Sequence, residues 1–266
     1  MTPTYPSLGE LAPDEIVRAA QDHYENSVAL AFAGNPKFSG DANFGHLLTG
    51  LPSPMGNMVV GTNLPKGETD VVEVTAKLKN LGVPGLWWLG PNANPKNLGE
   101  LLIGHGWTGP NPMPAMMVDL CELKDTPLPA ETEIRPVVSR EDLGTWHAVV
   151  AEGFGMAVEV ARVFDLPNAQ VGKFYTAYSE GKPVAVSAVF FNGGIAGIYC
   201  VATISEFRGR GLGSAITVIP LLEAAKGGYK IGTLQASTMG HPVYERLGFK
   251  DVMNVDIYFY GLPPKN

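Results

Sequence analysis

A chain of 266 residues, 45% of them hydrophobic, has material for one large domain or two ordinary ones, each with a packed core. A net charge of −7 and a pI near 5.2 argue against a nucleic-acid partner, which would favour a basic face. No apolar run approaches the ~20 residues that span a bilayer, and the first residues lack both a basic start and an apolar core, so neither a membrane nor a signal peptide is expected. Two cysteines, Cys121 and Cys200, are too few for a disulfide framework and read as buried, reduced thiols of a cytoplasmic protein.

Pro13 precedes a first helix over residues 14–26. Residues 40–66 are rich in Gly, Pro and Asn around a short apolar strand at 58–60. Val71, Val72, Val74, Leu78 and Leu81 recur at helical spacing and predict a helix over 70–81 that Gly82 ends. Residues 84–90 read as a buried strand, with Trp87 and Trp88 as core rather than as a substrate cage. A short helix over 95–103, capped by Gly104 or Gly106, and a strand over 113–120 complete the first half. Residues 124–132, with Pro127 and Pro129 among several charges, read as a linker between domains at 1–123 and 133–266.

The second half opens with a strand over 133–136 and a helix to about 152, capped by Ser139 with Asp142 as in a capping box. Strands 174–178 and 184–191 are joined at Glu180-Gly181, and Gly193-Gly194 leads into strand 195–203. The helix over 212–226 contains Pro220, which removes a backbone bond and predicts a kink; Gly227-Gly228 ends it. Strand 230–236, helix 242–247 and strand 252–260 follow. In the last, Met253, Val255, Ile257 and Phe259 alternate with Asn254, Asp256, Tyr258 and Tyr260, a half-buried pattern. The alternation of strands and helices gives an α/β class (α+β by some schemes). Strand, short helix, Gly106-Trp107 and strand in the first half mirror strand, short helix, Gly248-Phe249 and strand in the second. The two glycines lie 142 residues apart, near half the chain, which predicts a diverged duplication.

The chemistry concentrates in residues 198–249. An apolar strand runs into a basic, glycine-rich turn, Arg208-Gly209-Arg210-Gly211-Leu212-Gly213-Ser214, that opens a helix. Amides freed at a helix N-terminus, with the positive end of the helix dipole, hold a phosphate without a metal. Gly209, Gly211 and Gly213 remove side chains that would keep a pyrophosphate from the backbone, and Arg208 and Arg210 can add charge-assisted hydrogen bonds. A dinucleotide-binding oxidoreductase loop would want glycine in place of Ser214 and an acid about 20 positions on, where residues 230–235 hold none.

Arg208-x-x-Gly211-x-Gly213 resembles the Arg/Gln-x-x-Gly-x-Gly/Ala signature of the GNAT superfamily of acyl-CoA-dependent N-acyltransferases. Tyr244-Glu245-Arg246-Leu247-Gly248-Phe249 resembles that superfamily's later Tyr-x-x-x-Gly-Phe segment, in the right order, and the resemblance covers residues 131–262. It implies a GNAT-like fold, a mixed central sheet flanked by helices, in two tandem related domains. The first half has no such turn and carries Leu102 where the second has Tyr244, so only the second copy is expected to keep the cofactor site. The implied activity is an N-acetyltransferase that moves an acetyl group from acetyl-CoA, without a metal, to a primary amine by direct attack. Neither cysteine sits in a nucleophile motif, which suits direct transfer. A small-molecule amine is expected ahead of a peptide acceptor, and the oligomeric state is open. The alternative is a non-catalytic acyl-CoA-binding or regulatory module.

The resemblance also implies roles. Backbone groups of Cys200, Val201, Ala202 and Thr203 meet the pantetheine arm and the acetyl carbonyl, Tyr244 stands near the cofactor sulfur, and Ser237 occupies a position where the family often has a cofactor-contacting asparagine. A phenol with a pKa of ~10 gives its proton uphill to a thiolate whose acid lies near ~8.5, so Tyr244 is expected mainly to hydrogen-bond the leaving sulfur. Many members carry a glutamate on the strand before the turn, but residues 195–203 contain no carboxylate. Tyr199, His241 or a water chain are left as candidate bases, with Glu206 shaping the turn. The acceptor is expected over the first helices of the second half, where Glu152, Phe154, Met156, Glu159, Phe164 and Asp165 lie and where acids would suit a cationic amine. Arg162 and Arg246 are expected to pair with neighbours.

Overall fold

The computed structural model describes residues 6–164 and 172–262. The first half runs α1 (Pro13–Phe32), β1 (Phe38–Gly40), β2 (Gly45–Leu48), β3 (Asn57–Val60), α2 (Glu68–Leu81), β4 (Gly85–Leu89), α3 (Leu98–Gly104) and β5 (Trp107–Asp119). The second runs β6 (Thr132–Pro136), α4 (Arg140–Phe154), the short α5 (Val158–Ala161), β7 (Gly172–Ser179), β8 (Lys182–Asn192), β9 (Ile195–Thr203), α6 (Leu212–Lys226), β10 (Ile231–Gln235), α7 (His241–Leu247) and β11 (Lys250–Tyr260).

Local chemistry sets the boundaries. Gly82 ends α2 in the left-handed conformation that costs glycine nothing. The Asp142 amide donates to Ser139 Oγ at 3.0 Å while the Ser139 amide donates to Asp142 Oδ2 at 2.9 Å, the reciprocal cap expected for α4. Strands β1 and β2 are the elements not anticipated, because glycines bracket them. A Cβ on Gly40, whose φ is +99°, would lie 2.1 Å from the Phe44 carbonyl oxygen, so this tight turn demands glycine.

The eleven strands of the described residues form one sheet in the order β1-β2-β3-β4-β11-β5-β10-β9-β8-β7-β6. The last strand of each half has crossed into the other. β11 lies between β4 and β5, and β5 lies between β11 and β10. Outward from the antiparallel β5–β11 pair the ladder reads alike in both directions. β4 pairs with β11 and β10 with β5, both antiparallel; β3 pairs with β4 and β9 with β10, both parallel. The central position of β11 corrects its half-buried reading. Ile257 packs in a cluster with Phe32, Met58 and Leu86, while Tyr258, only 4% exposed, packs on the other face with Trp87, Leu98 and Leu102. Cys121, expected to be buried, is exposed in the turn that follows β5.

α6 carries Pro220 without ending. Pro220 has no N–H to give the Ile216 carbonyl one turn back. The hydroxyl of Ser187, fully buried on β8, donates to that carbonyl at 2.8 Å instead. The sheet therefore satisfies the acceptor that proline leaves open. Ser187→Ala strands a buried carbonyl, and we expect it to cost about 1–3 kcal/mol in chemical denaturation. An unchanged midpoint would mean that the carbonyl finds another donor.

Candidate active site

The site is built on a defect in β9. Val186 pairs with Ala202 and Ala188 with Tyr199, so Ser187 of β8 opposes both Cys200 and Val201 of β9. The extra residue bulges the strand at Cys200, whose φ is +52°. On the other edge, β9 pairs with β10 only at residues 195–197 against 231–233, although the two strands continue to Thr203 and Gln235. The parallel strands thus part beyond Gly197 and Thr233. The edge of Cys200, Val201, Ala202 and Thr203 that faces β10 is left without a strand partner.

The glycine-rich turn follows. Ala215 is the first residue whose amide bonds back along α6, to the Gly211 carbonyl, so the amides of Leu212, Gly213 and Ser214 have no partner within the helix. Gly211 caps the helix with φ +84°, and a Cβ there would meet only Pro129 Cγ, at 3.8 Å; around Gly209 nothing lies within 4 Å. The space the glycines leave is therefore open. The leucine side chain at 212 is core, so that residue offers only its amide to the turn. The two arginines are spent on the turn itself. Arg208 donates from Nε to the Thr203 carbonyl at 3.1 Å and from Nη2 to the Gly153 carbonyl at 2.8 Å. Arg210 donates to the Glu206 carbonyl at 3.2 Å and lies over the Phe207 ring. Arg208 so ties β9, the turn and the end of α4 together.

Tyr244 is buried on α7 with its ring edge-on to Phe249. Desolvation pushes its hydroxyl up to about 12, opposed by Thr217. Ser237 Oγ accepts from the Gly240 amide at 3.1 Å and so shapes the turn into α7. His241 faces carboxylates, with Nε2 2.8 Å from Asp251 Oδ1 and Nδ1 3.5 Å from Glu245 Oε2.

A cavity of about 460 Å3 lies against the bulge. Ile198, Tyr199, Cys200 and Val201 of β9, with Gln235, Ser237 and Tyr244, form one side. Phe154, Met156, Phe164 and Phe190 form a second. The first half supplies the rest: Tyr24, Val28, Ala31 and Phe32 from α1, with Met58, Leu86, Trp88 and Met113 beyond. Ile257 and Phe259 of β11 close it. No Asp, Glu, Lys, Arg or His lines it among the described residues. Burial pushes the Cys200 thiol up to about 12, which keeps it protonated and a poor nucleophile.

Several expectations change here. Trp87 is core, but Trp88 points to the opposite face of β4 and lines the cavity, its ring 5.2 Å from that of Tyr24. Glu152 and Glu159 are exposed to solvent and neither lines the cavity. Asp165 falls outside the described residues. Arg162 and Arg246 make no ion pair among the described residues.

The contribution of α1 was not read from the sequence. His23, 2% exposed, places Nε2 3.3 Å from the Phe190 carbonyl and Nδ1 3.0 Å from the Tyr199 hydroxyl. A carbonyl only accepts, so Nε2 carries the proton and Nδ1 accepts from Tyr199. Desolvation holds His23 down to about 4, so it is neutral, and the same burial pushes the Tyr199 phenol up. On the other side of α1, Glu25 Oε1 accepts from Gln21 Nε2 and Thr62 Oγ1, and burial pushes its carboxyl up to about 7. α1 is thereby pinned to both halves.

Residues 170–251 match the family model described as an acetyltransferase (GNAT) domain. The C-terminal half contains a GNAT domain. The matched segment takes in the bulge, the glycine-rich turn and Tyr244. No curated protein sequence matches the chain. Nearly the whole chain shares its fold with solved structures at low identity. A GCN5-related N-acetyltransferase from Kribbella flavida is 18% identical over 93% of this chain and 96% of that one, with a TM-score of 0.63. One from Sphaerobacter thermophilus is 15% identical over 99% and 96%, at 0.60. A tandem GNAT protein from the clavulanic acid biosynthesis pathway is 13% identical over 96% and 98%, at 0.54. These likenesses are of fold, and they extend the GNAT architecture, tandem form included, across both halves. Among the described residues no helix is long and apolar enough to cross a membrane, and no group of three or more His, Cys, Asp or Glu could hold a metal.

Proposed function

We propose that the protein is an N-acetyltransferase that uses acetyl-CoA to acylate a primary amine of a small molecule. The observation that carries this is a juxtaposition: free helix amides at an open glycine turn, and before it an unpaired bulged strand edge that lines, with Tyr244, an apolar cavity. The amides of 212–214 suit the cofactor's pyrophosphate, and the edge at 200–203 suits its pantetheine arm and acyl carbonyl. Bound there, the thioester supplies an activated acyl group. The amine enters from the cavity. Its lone pair forms the new N–C bond as the C–S bond breaks, and the proton lost from nitrogen ends on sulfur. Tyr244, with a pKa of about 12, keeps its proton and steadies the sulfur by hydrogen bonding.

We further propose that residues 1–123 and 133–266 are related halves and that the first has lost its cofactor site. At the matching turn of the first half, α2 begins with Glu68 and Asp70, and Asp70 Oδ2 accepts from the Lys66 amide at 2.7 Å. A carboxylate already occupies the place an anion would take. Leu102, fully buried, stands where the second half has Tyr244.

Calorimetry with acetyl-CoA, followed by a panel of amines, tests the reading. For Tyr244→Phe we expect unchanged cofactor affinity and a kcat lower by ~10–100-fold, the value of one hydrogen bond to a charged acceptor. Cofactor binding without turnover of any amine would favour a non-catalytic acyl-CoA-binding module instead.

A further inference from the structure

We propose that the amine acceptor is a weakly basic amine on an apolar, ring-bearing body, and that this body occupies the cavity between the halves. The inference rests on the acetyl-transfer reading and goes beyond it by naming the acceptor's class.

Three observations carry it. The cavity lining is aromatic, aliphatic and thioether, without a charged side chain among the described residues, so a cation entering it would shed its hydration with no counter-charge. Its volume of about 460 Å3 falls in the range of small-molecule sites. A buried polar atom of the lining, Tyr24 Oη from the first half, makes no hydrogen bond among the described residues, while Gln235 of the second half reaches Tyr199. Buried groups of this kind are usually satisfied, so the Tyr24 hydroxyl is a donor awaiting an acceptor atom on a ligand.

The same chemistry answers the missing base. The only described imidazole touching the cavity wall, His23, sits behind Tyr199 and accepts from it. Tyr199, held as a neutral phenol, can accept a hydrogen bond from the incoming N–H and orient the lone pair. An amine that is already neutral needs nothing stronger. One that arrives as a cation would need a carboxylate, and none of the described lining residues supplies it.

The test uses a matched pair of probes with one apolar body. These are 2-aminonaphthalene, neutral at pH 7, and 1-naphthylmethylamine, a cation at pH 7, with spermidine as a polar cation. Quenching of Trp88 fluorescence, assigned with Trp88→Phe, reads binding without acetyl-CoA; thiol release reads turnover. We expect 2-aminonaphthalene to bind at least ~10-fold more tightly than 1-naphthylmethylamine at pH 7, the gap closing as pH rises, and spermidine not to quench. Tyr24→Phe should weaken the binding of a ring ligand bearing a hydrogen-bond acceptor, 6-amino-2-methoxynaphthalene, by ~3–10-fold while the protein stays folded. Val28→Asp should shift preference toward 1-naphthylmethylamine.

Tight spermidine binding would overturn the proposal by showing a charged acceptor site. Displacement of 2-aminonaphthalene by octanoyl-CoA but not by acetyl-CoA would overturn it by showing an acyl-chain pocket. Quenching by 2-aminonaphthalene without any acetyl transfer would leave the apolar site standing and sink the acetyltransferase reading.

Discussion

Gly211→Glu should weaken acetyl-CoA binding by at least ~100-fold while leaving the protein folded. Gly211 caps α6 with φ +84°, a conformation costing a side-chain-bearing residue about 1–2 kcal/mol, well below the 5–15 kcal/mol that holds a typical domain together. There is no clash to add, since the nearest atom to a new Cβ is Pro129 Cγ at 3.8 Å. The damage is electrostatic. A glutamate at this position can fold its carboxylate onto the free amides of 212–214, where the helix dipole favours it. Each charge-assisted hydrogen bond denied to the cofactor is worth about 1.5–3 kcal/mol, so two of them account for a hundredfold or more. Gly211→Ala keeps the backbone strain and adds no charge, and should cost far less affinity. Arg208→Ala should fall between them. Its guanidinium is bonded to the carbonyls of Thr203 and Gly153, so its loss loosens the turn rather than removing a free cation. Calorimetry alongside a thermal melt separates the cases. Equal affinity in wild type and Gly211→Glu would show that the turn does not bind the cofactor.

The turn was legible in the sequence because its chemistry is local. Seven consecutive residues, 208–214, fix the glycines, the helix start and the open amides, and Tyr244 follows in a short helix whose glycine stop is equally local. What the sequence concealed is non-local. His23 and Tyr24 are ordinary residues on a helix that reads as any amphipathic helix; their partners, Tyr199 and Trp88, lie 176 and 64 positions away (88 − 24 = 64). Trp87 and Trp88 look alike in the strand, yet pleating sends one to the core and the other to the cavity. The strand before the turn carries no carboxylate, and the structure sets it beside a lining whose described residues carry no charge. Alternation in β11 told which residues face which side, but not that helices cover both sides. A half-buried edge strand and a central strand with Tyr258 on its second face are written in nearly the same letters.

The strand exchange makes a prediction of its own about the boundary at 124–132. Fragments 1–123 and 133–266, expressed separately, should each fail to fold, and expressed together they should form a soluble one-to-one complex. β5 ends up on the first fragment, yet its neighbours on both sides, β10 and β11, belong to the second. Ala115, Met116, Met117 and Val118 of β5 are at most 2% exposed in the intact chain. The three larger side chains alone contribute about 1.5–3 kcal/mol each on burial, a sum comparable to the whole stability of an ordinary domain. The second fragment loses that cover and also presents unpaired edges of β10 and β11, a template for aggregation. The first fragment loses β11 from between β4 and β5, and with it Ile257 and Tyr258 from two clusters. Together the fragments restore every strand pair without needing the connecting segment, which contains no helix or strand between Asp119 and Thr132. A monomeric 133–266 fragment that melts cooperatively and binds acetyl-CoA would show the halves to be independent units. Recovery only on mixing would show that the cavity and the sheet exist as one object, in which the half proposed to lack the cofactor site holds up the half proposed to keep it.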